Sequence, residues 1–372
     1  MGCFWQAMPR QAALSSYAIG MKKPSIQNII VPIDFSRMSV PALKSASRLG
    51  QRFGASMHLA HVRQFNYAAD FVAPAPPIVP FSFMPYDRDC AGGIVKELNA
   101  MAGECGISSP ICHVLSGAPP FDEICRLARE IPADLIVMPT HGRTGLTHVF
   151  LGSTAERVVQ HSPCPVLVVR EKKRKSKTRP ALIPRTILVP IDFSRCSVAG
   201  LRYAIGFANE FDAKIILLHA TYIGYVYSSE GTALYDVRGL REAAREIAER
   251  QMRKLTRSAK FGRVKLQTAL IEGSPVRDIC DFAKDHEVDL IITSTHGLTG
   301  LEHIVMGSVA EHVVRRAPCS VLVVPSHPQT RTATLAKHTD KTRQKRPPSV
   351  HKRPGRYPTR PSWIQLSSRN RK

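Results

Sequence analysis

Residues 28–43 read NIIVPIDFSRMSVPAL and residues 186–201 read TILVPIDFSRCSVAGL, with 11 of 16 positions identical. A second pair lies downstream. THGRTGLTHVFLGSTAERVVQHSPCPVLVV (140–169) matches THGLTGLEHIVMGSVAEHVVRRAPCSVLVV (295–324) at 19 of 30 positions. The offsets of 158 and 155 differ by a small indel, so the chain is a tandem duplication with about 140 residues per copy. A length of 372 residues suits two domains that each bury a core of their own.

Within each copy, short β-branched runs alternate with helix-length amphipathic segments. The runs are IIVPI (29–33), SMHLAHV (56–62), ICHVL (111–115), DLIVMP (134–139) and PVLVV (165–169) in the first copy. In the second they are ILVPI (187–191), AKIILLHA (213–220), VKLQTALI (264–271), DLIITS (289–294) and SVLVV (320–324). Most lack clean polar alternation and read as strands buried on both faces. With helices such as GLREAAREIAERQMRKLTRSA between them, they predict a parallel α/β sheet covered by helices. Ligands of such sheets bind beyond the carboxyl ends of the strands, where strand order reverses. The residues there are DFS after the first strand, HV or HA after the second, and THG…GS after the fourth.

The net charge of +23 suggests a nucleic-acid binder until it is located. Residues 170–185 and 326–372 together hold +19 of it, so the basic charge belongs to a linker and a tail. The tail has the Pro, Ser, Thr and Lys/Arg bias of a segment that does not fold alone. KTRQKRPPSVHKRPGRYPTR within it could neutralise phosphates of nucleic acid or an anionic surface without reading bases, or serve only as a solubilising extension. The nine cysteines include no C-x-x-C pair and no zinc-finger spacing, so neither a disulfide framework nor a metal held by protein side chains is indicated. Reduced thiols in the cytoplasm are the simpler reading. No run approaches the roughly 18 apolar residues of a membrane span. Residues 1–27 read as an unstructured leader, with Met21 an alternative initiator.

Gly142 and Gly152, then Ser153 and Thr154, are repeated as Gly297 and Gly307, then Ser308 and Val309. Glycine lets a ligand approach the backbone closely, and a Gly-Ser opening a helix offers free N–H groups to an anion. The same residues also spell capping boxes, with Ser153 or Ser308 as N-cap and Glu156 or Glu311 three residues on. On spacing alone the two readings stand level. Asp34 and Asp192, each in Asp-x-Ser, either contact a ligand or organise the turn into the next helix. His141 and His296 are read as loop histidines bonded to their own turn. Cys164 and Cys319 are read as small packing residues rather than redox groups. Residues 64–86 form a proline-rich aromatic loop that either lids the site or packs on the surface.

VPIDFS, then HV, then THGRTGL…LGSTAERVV…PCPVLVV, repeated in order, resembles the universal stress protein family, specifically its ATP-binding branch. The resemblance spans about residues 28–170 and 185–325, with 171–184 as basic linker and 326–372 as tail. It implies two Rossmann-like domains, each a five-stranded parallel sheet of order 3-2-1-4-5, binding ATP as a regulatory or stress-response module. Adenosine would lie by Pro32, Ile33 and Asp34 and by Pro190, Ile191 and Asp192, with Val62 or Ala220 against the base. Phosphates, with any Mg2+ held through them, would lie by Gly142, Gly152, Ser153 and Thr154, and by Gly297, Gly307, Ser308 and Val309. The family's first loop glycine is replaced by Pro139 and by Ser294. Proline brings no N–H, whereas Ser294 keeps one and adds a hydroxyl, so the second copy is expected to bind at least as well as the first. The absence of a P-loop lysine argues against fast hydrolysis, and a non-enzymatic binding protein is expected. The resemblance also implies that the last strands of the two copies pair within the chain, covering two sheet edges. A protein partner that reads nucleotide occupancy is implied without being identified. The missing glycines also leave open a nucleotide-free scaffold.

Overall fold

The computed structural model describes residues 25–63, 88–140, 151–170, 183–222, 237–259, 261–297 and 306–326. Most of the leader, linker and tail, the 64–86 loop, and residues 141–150 with His141 and Gly142 lie outside them. The first repeat runs β1 (Asn28–Pro32), α1 (Ser39–Phe53), β2 (Ser56–Arg63), α2 (Arg88–Glu104), β3 (Ile111–Ser116), α3 (Pro120–Glu130), β4 (Leu135–Pro139), α4 (Ser153–His161) and β5 (Val166–Val169). The second runs β6 (Thr186–Pro190), α5 (Arg195–Phe211), β7 (Lys214–Thr221), α6 (Val237–Ser258), β8 (Leu266–Glu272), α7 (Pro275–Asp285), β9 (Leu290–Ser294), α8 (Ser308–Arg316) and β10 (Ser320–Val324).

Every pairing inside a repeat is parallel, and each repeat has the order 3-2-1-4-5. The apolar runs explain why. In β1, Ile29 and Val31 face one core with Leu43 and Leu49 of α1, while Ile30 faces the other with Ile124 of α3 and Val158 of α4. A strand covered on both faces has no polar side to present, and each such Leu or Ile stabilises the fold by roughly 1.5–3 kcal/mol. α1 stops at Gly54, whose φ of 68° is left-handed and whose N–H bonds the Gly50 carbonyl. At the equivalent end of α5, Asp212 adopts φ 51° instead.

The repeats join through their last strands. β5 and β10 pair antiparallel, with Val168 opposite Val321, Leu167 opposite Leu322 and Val166 opposite Val323, making one ten-stranded sheet. On one face of that seam Phe53 of α1 lies 6.2 Å from Phe207 and 6.1 Å from Phe211 of α5, between ring centres. On the other, Arg170 just after β5 donates from Nη2 to the carbonyls of Arg315, at 2.8 Å, and Val314, at 3.4 Å. Its backbone N–H donates to Ser320 Oγ at 3.1 Å.

One polar pair breaks the apolar interior of the first repeat. His58 on β2 and His113 on β3 approach to 3.0 Å between Nδ1 and Nε2, with their rings stacked. His58 is buried, and burial, reinforced by His113, pulls its pKa down to about 4. The second repeat places Ile216 where His58 stands, in the same register against its first strand.

Candidate functional site

β1 and β4 are neighbours, yet α1 packs on one face of the sheet and α4 on the other. The chain therefore parts at their carboxyl ends and leaves a crevice there. β6 and β9, followed by α5 and α8, repeat this arrangement.

The β1 side is built almost identically in both copies. Ile33 N–H donates to the Ala60 carbonyl at 2.8 Å, and Ile191 N–H to the Leu218 carbonyl at 2.8 Å. The carbonyls of Ile33 and Ile191 each lie 2.7 Å from Nδ1 of His61 and His219. A carbonyl only accepts, so these Nδ1 atoms carry the proton. With both backbone groups engaged and both side chains buried, Ile33 and Ile191 shape the crevice wall rather than offer it polar groups. The next residue, Asp34, accepts at Oδ1 from Ser36 N–H (3.0 Å) and Ser39 Oγ (2.7 Å). Asp192 Oδ1 accepts from Ser194 N–H at 3.0 Å. The turn-organising role of both aspartates is thus real. In repeat two Oδ2 faces Gly297, where a β-carbon on that residue would come within 2.6 Å.

Phe35 and Phe193 follow with φ of 61° and 64°, a left-handed conformation that costs an L-residue roughly 1–2 kcal/mol. Each ring packs on the histidine of the neighbouring strand, at 4.7 Å from His61 and 4.6 Å from His219. The same strain at the same place in both copies marks a built feature. Sequence reasoning passed over these phenylalanines and histidines as site architecture. Their signal was present in the repetition of DFS and of the strand-end histidine.

The phosphate side departs from the capping-box reading. Gly152 and Gly307 are the N-caps, with extended backbones, and Ser153 and Ser308 are already the first helical residues. Among the described residues, no side chain caps either helix. The cap N–H groups turn back to the preceding segment, Gly152 to the Thr140 carbonyl and Gly307 to the Thr295 carbonyl, each at 2.8 Å. The serines are then one residue too far into the helix to reach back. Glu156 and Glu311, freed of a capping role, meet Arg315 instead, at 2.7 and 3.1 Å. The first helical bonds run from Glu156 N–H to Gly152 and from Glu311 N–H to Gly307. The N–H groups of Ser153, Thr154 and Ala155, and of Ser308, Val309 and Ala310, precede these first intrahelical bonds, which makes each helix start an anion-seeking end.

In repeat two the sequence-selected residues converge. Asp192, Gly297 and Gly307 lie together, since a β-carbon on Gly307 would sit 3.9 Å from Gly297 N and 3.5 Å from the Thr295 carbonyl. Ser294 is buried at the end of β9, and its hydroxyl donates to the His296 carbonyl at 2.9 Å, so it braces the turn. His296 Nδ1 lies 2.9 Å from both Thr295 Oγ1, in its own turn, and Ser326 Oγ, which follows β10. Pro139 is buried at the end of β4, while Pro32 and Pro190 end their strands half-buried. Val62 and Ala220 are half-buried near the ends of β2 and β7. The thiols stand apart. Cys164 and Cys319 are buried, and burial pushes Cys164 up to about 12, which leaves no thiolate for redox chemistry.

A sequence model of the universal stress protein family matches residues 25–170 and 184–325. The chain is 34% identical over 140 residues to a universal stress protein of Methanocaldococcus jannaschii, covering 38% of this chain and 81% of that one. It is 34% identical over 148 residues to a universal stress protein of Staphylococcus aureus, covering 38% and 83%. Among solved structures, a Pseudomonas aeruginosa protein of unknown function superposes with a TM-score of 0.58 at 18% identity, over 82% of this chain and 94% of that one. A universal stress protein from another strain of that species gives 0.54 at 17%, over the same shares. At such identities the structures show the shared two-repeat fold.

Proposed function

Because the chain belongs to the universal stress protein family and carries its domain twice, we propose that it binds ATP, or another adenine nucleotide, in both crevices as a regulatory stress-response module. The observation that carries this is the convergence of the Asp192 carboxylate, the Gly297 and Gly307 backbone and the open end of α8 at one topological switch point. A carboxylate suits ribose hydroxyls, a backbone without β-carbons admits close approach, and a helix N-terminus favours phosphate. ATP offers all three partners in sequence, and any Mg2+ would be held through its phosphates.

We place the function in binding rather than turnover. The carboxylates nearest the helix ends, Glu156 and Glu311, are engaged by Arg315, and the His296 ring is engaged by Thr295 and Ser326. Nucleotide occupancy would then act on a protein partner in the cytoplasm. A nucleotide-free scaffold is the second reading, favoured by Pro139, which brings no N–H to the first crevice. The test is mass spectrometry of nucleotide released on denaturing the untreated, purified full-length protein. About one to two adenine nucleotides per chain supports the proposal. None released, together with no ATP binding in a calorimetric titration, overturns it in favour of the scaffold.

A further inference from the structure

We propose that the two crevices are negatively coupled and that Arg315 is the positioning residue that couples them; this rests on the nucleotide-binding reading above. Glu156 stands in the first turn of α4 and Glu311 in the first turn of α8, one behind each proposed phosphate site. A single nitrogen, Arg315 Nη2, serves both, at 2.7 Å from Glu156 Oε1 and 3.1 Å from Glu311 Oε1. Arg315 Nε is buried and has no partner among the described residues, so the two carboxylates hold the guanidinium by one edge. The base of the side chain is fixed to the first repeat, because Arg170 donates to the Arg315 carbonyl.

The arrangement lacks the twofold symmetry of the fold around it. Gln160 stands in the first repeat where Arg315 stands in the second, so one cation is shared between two equivalent carboxylates. Phosphates arriving at the end of α4 add negative charge beside Glu156. The guanidinium then gains by turning toward Glu156, and Glu311 loses part of its compensation. Phosphates arriving next at the end of α8 meet a more negative first turn and bind less tightly. Linkage makes the effect reciprocal, so occupancy of the second crevice weakens the first by the same factor. Arg315, Glu156 and Glu311 are 38%, 24% and 38% exposed, so solvent screens the exchange. The coupling factor belongs at the low end of the usual range, about fivefold.

The measurement is calorimetric titration of the full chain with Mg-ATP. Each crevice is first measured alone, in chains whose other crevice is closed by Gly152→Val or Gly307→Val, and then compared with the two steps of the unaltered chain. The second ATP is expected to bind about fivefold more weakly than its crevice does alone. The deficit should shrink toward onefold in Arg315→Gln and in Glu156→Gln, with circular dichroism reporting that both variants fold. Two independent steps in the unaltered chain, saturation at one ATP, or a deficit that survives both substitutions would each overturn the coupling while leaving nucleotide binding in place. Absence of any ATP binding would remove both proposals.

Discussion

The Oδ2 atom of Asp192 lies 2.6 Å from where a β-carbon on Gly297 would stand. A side chain at position 297 therefore has room only if the Asp192 carboxylate swings away. Gly297→Ala should displace Asp192 and reduce ATP affinity of the second crevice at least tenfold, about 1.4 kcal/mol. Gly307→Ala meets its nearest neighbour, the Thr295 carbonyl, at 3.5 Å and should be much milder. Calorimetric titration in chains with the first crevice closed by Gly152→Val compares the two. Equal losses would remove the spatial argument.

Asp34 serves the fold and the crevice at once, and two substitutions separate the roles. Asp34→Asn keeps an oxygen to accept from Ser36 N–H and Ser39 Oγ and should leave stability within about 1 kcal/mol while weakening nucleotide binding. Asp34→Ala removes that acceptor and should cost about 1–3 kcal/mol in urea unfolding as well. If Asp34→Asn bound ATP as tightly as the unaltered chain, the carboxylate would have no role in the ligand.

The sheet was legible from the chain because buried β-branched runs such as IIVPI and DLIITS have one physical use, and because everything was written twice. The crevice was legible to the extent that strand ends are. Whether Ser153 caps α4 was not, since STAE spells a capping box and only the direction of Gly152 N–H moves the cap back by one residue. The sharing of Arg315 was equally hidden. Glu156 and Arg315 are 159 positions apart, and only the β5–β10 seam brings them within 2.7 Å.

Acid should weaken the first repeat through His58. Its folded pKa of about 4 lies below the ordinary 6.5, so between those values the unfolded chain binds a proton that the folded chain refuses. That contribution to stability is intact above about pH 6.5 and is lost as pH falls toward 4. His113, also lowered by burial, acts in the same direction, and nearby Glu130 opposes it. Replacing His58 with isoleucine, the residue of the second repeat, should flatten this acid limb in urea unfolding measured from pH 7 to 4. An unchanged limb would place the acid sensitivity elsewhere.

A fragment of residues 25–170 should dimerise. Its β5 is buried along its whole length and its outer edge is covered by β10, and an uncovered apolar edge recruits another strand. Sedimentation should find the fragment dimeric at micromolar concentration and the full chain monomeric. A monomeric fragment would show that β5 alone does not drive pairing. Within the full chain, Leu322→Ala at the same seam should cost about 2–5 kcal/mol, because Leu322 is fully buried.

Joining the repeats through β5 and β10 in one polypeptide also changes what substitution can do at the axis between them. In an assembly of two identical chains, every residue near the twofold axis appears in both partners, and an arginine placed there confronts its own duplicate. Here the partners are encoded separately, so the molecule is a heterodimer by construction. Pro139 can differ from Ser294 and Gln160 from Arg315, and a single guanidinium can stand where self-complementarity would have required either two or none.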